Sequence, residues 1–204
     1  MKRRLVLIAM AVVLVAACVA GCGGGDVDEG KAYVMPGYMA GWYGQGYSAG
    51  DVIGAYQAIN SGDEHIYEDI FAAEDGAVTL VMTQEQVDRM MESCEEMIEW
   101  AQELAAMNGS EIEANEDRTA FTYKVPSGLS QSTRAAPVGA MQMACMWEQI
   151  LRGVEPNDLA LEFKVYGIET NEVLGSGTLP QDSIGNVMID GEQLGAPEAA
   201  VVGG

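Results

Sequence analysis

Histidine is almost missing from this chain: its 204 residues carry one, His65. Bases are scarce as well, with 10 Lys and Arg against 31 Asp and Glu and a formal net charge of −21. A surface this acidic repels nucleic acid and anionic lipid headgroups and attracts cations only loosely. There is no P-loop, no G-x-G-x-x-G, no C-x-x-C and no S-x-x-K. The phosphate-cradling, dinucleotide-binding, dithiol and Ser-Lys chemistries that need those spacings have no footing. Disorder throughout is excluded too, because 49% of the residues are hydrophobic.

What is present begins at the N-terminus. Lys2, Arg3 and Arg4 form a basic start, and Leu5 to Ala20 follows without a charge, 16 residues long. A membrane-spanning helix needs about 20 residues. A basic start, a short apolar run and small residues before a cut site make a secretory signal. Val19-Ala20-Gly21-Cys22 resembles the lipobox of bacterial lipoproteins, an aliphatic residue, two small ones and a cysteine. Val19 stands where that motif favours Leu. The resemblance covers residues 1–22 and implies diacylglycerol on the Cys22 thiol and cleavage before it. It also implies a place at the cell membrane, lipid-anchored on the extracytoplasmic face. Val15-Ala16-Ala17-Cys18 is a poorer second match, which would shorten the apolar run and leave Cys22 free.

The domain expectations are a signal peptide over 1–21, a tether over 22–50 and one α+β domain over 51–204. All three bases before Cys22 leave with the signal, so the rest holds seven Lys and Arg against 31 Asp and Glu, a balance of about −24. Glycine occurs nine times between Cys22 and Gly50, the composition of a flexible linker. Tyr33, Tyr38, Trp42, Tyr43 and Tyr47 are interleaved with it. Such aromatics either stack on cell-wall sugars or pack back on the domain.

Periodicity places the elements beyond the tether. A short helix is expected over 51–60, with Val52, Tyr56 and Ile59 on one face. Residues 65–72 fit either a helix face or the first strand of a hairpin, and 77–82 reads as a strand. The clearest element is a helix over 84–108, with Thr83 and Gln86 as a capping box and Gly109 as its stop. Val87, Met90, Met91, Cys94, Met97, Ile98, Ala101, Leu104 and Ala105 form its apolar stripe. Strands are expected over 111–114 and 119–125, then a helix over 136–152 with Pro137 in its first turn. A hairpin of 159–168 and 173–179 follows, and one strand at 187–189. The order β-α-β-β-α-β-β from Ala77 argues an α+β fold, one antiparallel-rich sheet with two helices on one face, and a ferredoxin-like arrangement fits it. This layout also resembles small secreted lipoproteins of unknown function, over residues 75–180, and that likeness names no activity.

Few groups offer chemistry. Gly46-Tyr47-Ser48-Ala49-Gly50 matches the nucleophile elbow, but a Gly-rich stretch precedes it and His65 follows too soon for a triad partner. Asp63, Glu64, His65, Glu68 and Asp69 are weak candidate ligands for Ca²⁺ or Zn²⁺, against the simpler reading of a solvated acidic turn. Met141, Met143, Cys145 and Met146 have the softness of Cu(I) ligands, but helical spacing spreads them, and core packing is the better reading. After cleavage only Cys94 and Cys145 remain to pair, and an exported even pair is read as a disulfide. Against it, Cys145 falls near Gln149 and Arg152, toward the polar side of its helix. No catalytic residue and no cofactor is assigned. The sequence favours a lipid-anchored, non-catalytic binding or interaction domain with a cell-wall or protein partner. A wall-acting hydrolase using paired carboxylates and a metal-binding lipoprotein are the alternatives.

Overall fold

The structure, a computed structural model, describes residues 30–43, 46–60 and 65–194. The signal peptide, Cys22, the start of the tether, Asp63 and Glu64 lie outside the described residues. Among the described residues no helix is long and apolar enough to cross a membrane.

The chain enters the fold twenty residues earlier than its composition suggests. Lys31–Met35 is a strand (β1) and Ala40–Tyr43 a short helix (α1), joined by a 3-10 turn over Gly37–Met39. Tyr33, Met35, Met39 and Ala40 are buried, so residues 31–43 are core and not tether. Glycine here serves close approach: a Cβ on Gly37 would sit 2.9 Å from the carbonyl oxygen of Asp75. Ala49–Ile59 (α2) follows, capped by Ser48.

Asp69–Ala72 (β2) and Val78–Met82 (β3) form the hairpin reading of the ambiguous segment, turning at Gly76 with φ +84°. β3 lies between β1 and β2 in a three-stranded antiparallel sheet. Val78, Leu80 and Met82 are buried.

Gln84–Met107 (α3) begins as expected. The Gln86 N–H donates to Thr83 Oγ1 at 3.3 Å, and the Thr83 N–H donates to Gln86 Oε1 at 2.9 Å. Gly109 leaves it at φ +70°. Its stripe is buried or half-buried throughout, and Asp88, Glu92, Glu95, Glu96, Glu99 and Glu103 face solvent.

Glu111–Ala114 (β4), Ala120–Val125 (β5), Leu161–Gly167 (β6) and Val173–Leu179 (β7) make the second sheet, in that order. β5 and β6 run parallel and the outer pairs antiparallel. Phe121 and Tyr123 stand beside Phe163 and Val165 on one buried face, while Glu162 and Lys164 point away. The fold is therefore α+β, but the single ferredoxin-like sheet is not formed. That arrangement needs the strand before α3 to join the strands after it, and β3 pairs instead with β1 and β2.

Gln131–Leu151 (α4) supplies the crossover between the parallel strands. It starts five residues before the expected position, with Ser130 accepting from the Thr133 N–H at 3.3 Å. Pro137 thus sits in its second turn. Fifteen of its 21 residues are buried, against six of 24 in α3, so α4 is enclosed all round. It packs against α3 on one side and against β1, β4, β5 and β6 on others.

The described part of the tail, through Leu194, is structured. A 3-10 turn at Ile184–Asn186 leads to a small hairpin, Met188–Ile189 (β8) and Glu192–Gln193 (β9). Arg134 fixes it to α4, donating to Glu192 Oε2 and to the Gln193 carbonyl, both at 3.2 Å. Two glycines let the segment before it lie on β7. A Cβ on Gly175 would come within 2.7 Å of Val187 Cγ2, and one on Gly177 within 2.7 Å of Asp182 Cβ.

Candidate functional site

Ser48 is a helix cap. Its Oγ donates to Asp51 Oδ2 at 2.6 Å, and its backbone N–H donates to the same oxygen at 2.8 Å. These two bonds hold the Asp51 carboxyl below its ordinary range. The elbow match is thereby accounted for by capping.

The acidic cluster is used locally. Glu68 Oε1 accepts from Gln86 Nε2 at 2.7 Å, and Asp69 Oδ1 accepts from the Ile70 N–H at 2.8 Å. His65 offers its backbone carbonyl to Gln86 and Arg89, both at 3.2 Å. Among the described residues no three His, Cys, Asp or Glu side chains are grouped to hold a metal ion.

Cys94 and Cys145 are free thiols, and both are buried. The disulfide read from their even number is not formed. Burial pushes each thiol up to about 12, and a nearby Glu148 acts in the same direction on both. Cys145 Sγ donates to Met141 Sδ at 3.8 Å. Met141, Cys145 and Met146 are buried in the core, and Met143 is half-buried. The supposed polar side of α4 around Cys145 is itself inside the protein.

That side is held by a carboxylate. Glu148 is 0% exposed, and it accepts from Arg118 Nε at 2.9 Å and from an Arg152 guanidinium nitrogen at 2.7 Å. Gln149 Nε2 donates to the carbonyls of Arg118 and Ala160, at 2.8 and 3.0 Å. Together these side chains pin the β4–β5 turn and the start of β6 to α4.

Of the tether aromatics, Tyr33 and Tyr43 turn inward, Tyr38 and Trp42 line an opening, and Tyr47 is exposed. Tyr43 joins an internal network in which Trp147 Nε1 donates to the Tyr43 hydroxyl at 2.8 Å, and the Tyr43 and Tyr56 hydroxyls lie 2.9 Å apart. Burial raises the Tyr43 phenol to about 12 and also raises the Tyr56 phenol well above its ordinary value, so both stay neutral. Tyr33 packs under the Lys31 ammonium at 5.2 Å. Tyr38 and Trp42 instead line an opening, with ring centroids 5.7 Å apart at 59°.

The opening is a cavity of about 210 Å³ between the 3-10 turn with α1, α4, and the chain after β7. Gly41, Gln142, Leu179, Pro180, Asp182 and Ser183 complete most of its wall. Gln142 projects from α4 and is 3% exposed, and its Oε1 has no hydrogen-bond partner among the described residues. A buried acceptor left without a donor costs about 1–3 kcal/mol. Asp182 is the one carboxylate in the wall, and its Oδ2 accepts from the Thr178 N–H at 2.8 Å. No Lys or Arg is part of the wall. Sequence reasoning marked Tyr38 and Trp42 but missed Gln142 and Asp182, which belong to no motif.

No family model, no curated protein and no solved structure matches the chain.

Proposed function

We propose that this chain is an envelope lipoprotein, anchored by lipid on Cys22 at the extracytoplasmic face, whose α+β domain is a non-catalytic binding module. The anchor rests on the basic start, the short apolar run and the Val19-Ala20-Gly21-Cys22 lipobox. The binding role is carried by one observation: a cavity of about 210 Å³ whose wall holds Tyr38, Trp42, Gln142 and Asp182. Concave, aromatic-walled sites with a few polar groups are where small ligands bind.

The test compares wild-type chain, Cys22→Ala and Gln142→Leu, each expressed with the native signal. Wild type should pellet with membranes and carry metabolically incorporated acyl label. Cys22→Ala should be released or stay unprocessed. A Cys22→Ala chain that is processed and pelleted normally overturns the anchor. Wild-type chain extracted in mild detergent should release a small molecule on denaturation that Gln142→Leu does not. Equal release from both overturns the binding site.

A further inference from the structure

The wall of the cavity beside Trp42 has two halves of different character. Tyr38, Trp42, Leu179 and Pro180 make one, and Asp182 and Ser183 make the other. The two rings are tilted by 59° with centroids 5.7 Å apart, so they do not stack flat on each other. Tyr38 is 38% exposed and Trp42 is half-buried, which leaves both within reach of solvent. Gly41 precedes Trp42 in the wall, and a Cβ there would meet nothing within 4 Å, so the glycine keeps this part of the opening wide. On the polar half, Asp182 and Ser183 are exposed, and the Ser183 hydroxyl makes no cap bond to the 3-10 turn that follows it. An anion would meet a chain of −21 and a wall without Lys or Arg. A wholly apolar ligand would strip water from Asp182 and Ser183 and return no hydrogen bond. A metal ion would find a single carboxylate. A sugar ring has a face of C–H groups and an edge of hydroxyls, the two surfaces that these two halves match.

We infer that this cavity binds one pyranose ring of a neutral glycan. The C–H face of the sugar lies against Trp42 and Tyr38, and its hydroxyls meet Asp182 and Ser183. Asp182 is solvated, so it orients the ring, and the aromatic half supplies most of the affinity. About 210 Å³ is below the roughly 300–1,000 Å³ of drug-sized sites, so the cavity holds a single ring and no longer stretch of chain. This assignment rests on the binding-module reading above and gives its ligand class.

The full chain, ¹⁵N-labelled and held in detergent, is titrated with N-acetylglucosamine, methyl glucopyranoside, glucuronate, sorbitol and cyclohexylmethanol. The signals followed are the Trp42 indole N–H and the Ser183 amide. Trp100, exposed on α3 and outside the wall, reports unspecific binding. The expected result is saturable movement with a neutral pyranose at roughly millimolar concentration, with the Trp100 indole unmoved. Sorbitol, which has hydroxyls and no ring face, should bind about tenfold more weakly, the worth of one aromatic contact. Cyclohexylmethanol, which has a ring and no hydroxyl edge, should also bind about tenfold more weakly. Glucuronate should not bind. Tyr38→Ala weakens the neutral pyranose about tenfold, and Gly41→Leu, which builds a side chain into the open space at that position, abolishes binding; thermal melts check that both variants fold. If sorbitol or cyclohexylmethanol binds as tightly as the pyranoses, the sugar assignment falls and the binding module stands. If none of the five moves the signals, the sugar assignment falls, and release of a small molecule from denatured wild type decides the module separately. Equal movement of the Trp100 indole, or unchanged affinity in folded Gly41→Leu, also overturns the proposal.

Discussion

Replacing Glu148 by alanine removes the one carboxylate that two arginines share inside the protein. Glu148 is 0% exposed, while the Arg118 and Arg152 side chains keep 21% and 43% of their exposure. Removing one partner of a buried pair costs about 3–5 kcal/mol, because the other charge is left buried and unpaired. Here both arginines reach some water, so solvent takes up part of the orphaned charge, and the loss should fall near the low end, about 3 kcal/mol. In a domain of this size that lowers the thermal midpoint by about 6–12 °C. The contributions separate in double-mutant cycles measured by denaturant unfolding. Arg118 is left-handed at φ 58°, so Arg118→Ala keeps the backbone cost in place while deleting the guanidinium. The coupling of Glu148 to Arg118 should exceed that to Arg152, which is the more exposed partner and sits four residues along the same helix. A loss under about 1 kcal/mol for Glu148→Ala would refute the reasoning, as would equal coupling to the two arginines.

The thiols should both react with a maleimide after denaturation without reductant, giving two labels per lipidated chain, and neither should react at pH 8 in the folded state. Their folded-state pKa of about 12 lies above the ordinary 9.0, so the folded chain holds protons that the unfolded one has lost between those values. Stability should therefore fall as pH rises from about 9 toward 12, and Cys94→Ala/Cys145→Ala should flatten that slope; an unchanged slope in the double variant contradicts it. Gly175→Ala should destabilise by about 1–3 kcal/mol in denaturant unfolding, the range for overpacking, because its Cβ meets the branched end of Val187. Gly177→Ala meets Asp182 instead, so it should displace that carboxylate and weaken ligand binding; wild-type affinity in Gly177→Ala would show that Asp182 is not part of the site.

Helical period and capping chemistry made α3 legible to its ends, since nine apolar positions on one stripe and the Thr83–Gln86 box leave little choice of boundary. Alternation marks β6, whose expected range 159–168 runs one or two residues past Leu161–Gly167 at each end, whereas 65–72 fits helix and strand equally until its last residues pair as β2. β1 is hidden because its five residues are too short a run to show a period and lie in a glycine-rich stretch, where composition outweighs pattern. Sheet membership is a long-range choice: Val78 pairs with Met35 across more than forty residues, and no local pattern in either segment specifies the other. The expected start of α4 falls late because Pro137 suits a first turn, although Ser130 supplies a cap seven residues before it.

The site was illegible for a related reason. On an amphipathic helix, polar residues mark the solvent side, and that rule places Gln142, Glu148 and Gln149 outside. α4 breaks the rule because it is covered on every side, so each polar side chain on it must find a partner or remain unsatisfied. Glu148 and Gln149 find theirs in the β4–β5 turn and β6. Arg134 finds most of its own in the last hairpin, with its Nε alone left over. Gln142 falls where the chain after β7 and the 3-10 turn do not meet, and there the wall opens into the cavity. Its isolation thus follows from how three distant segments close around one helix, which is information the local sequence around residue 142 does not hold.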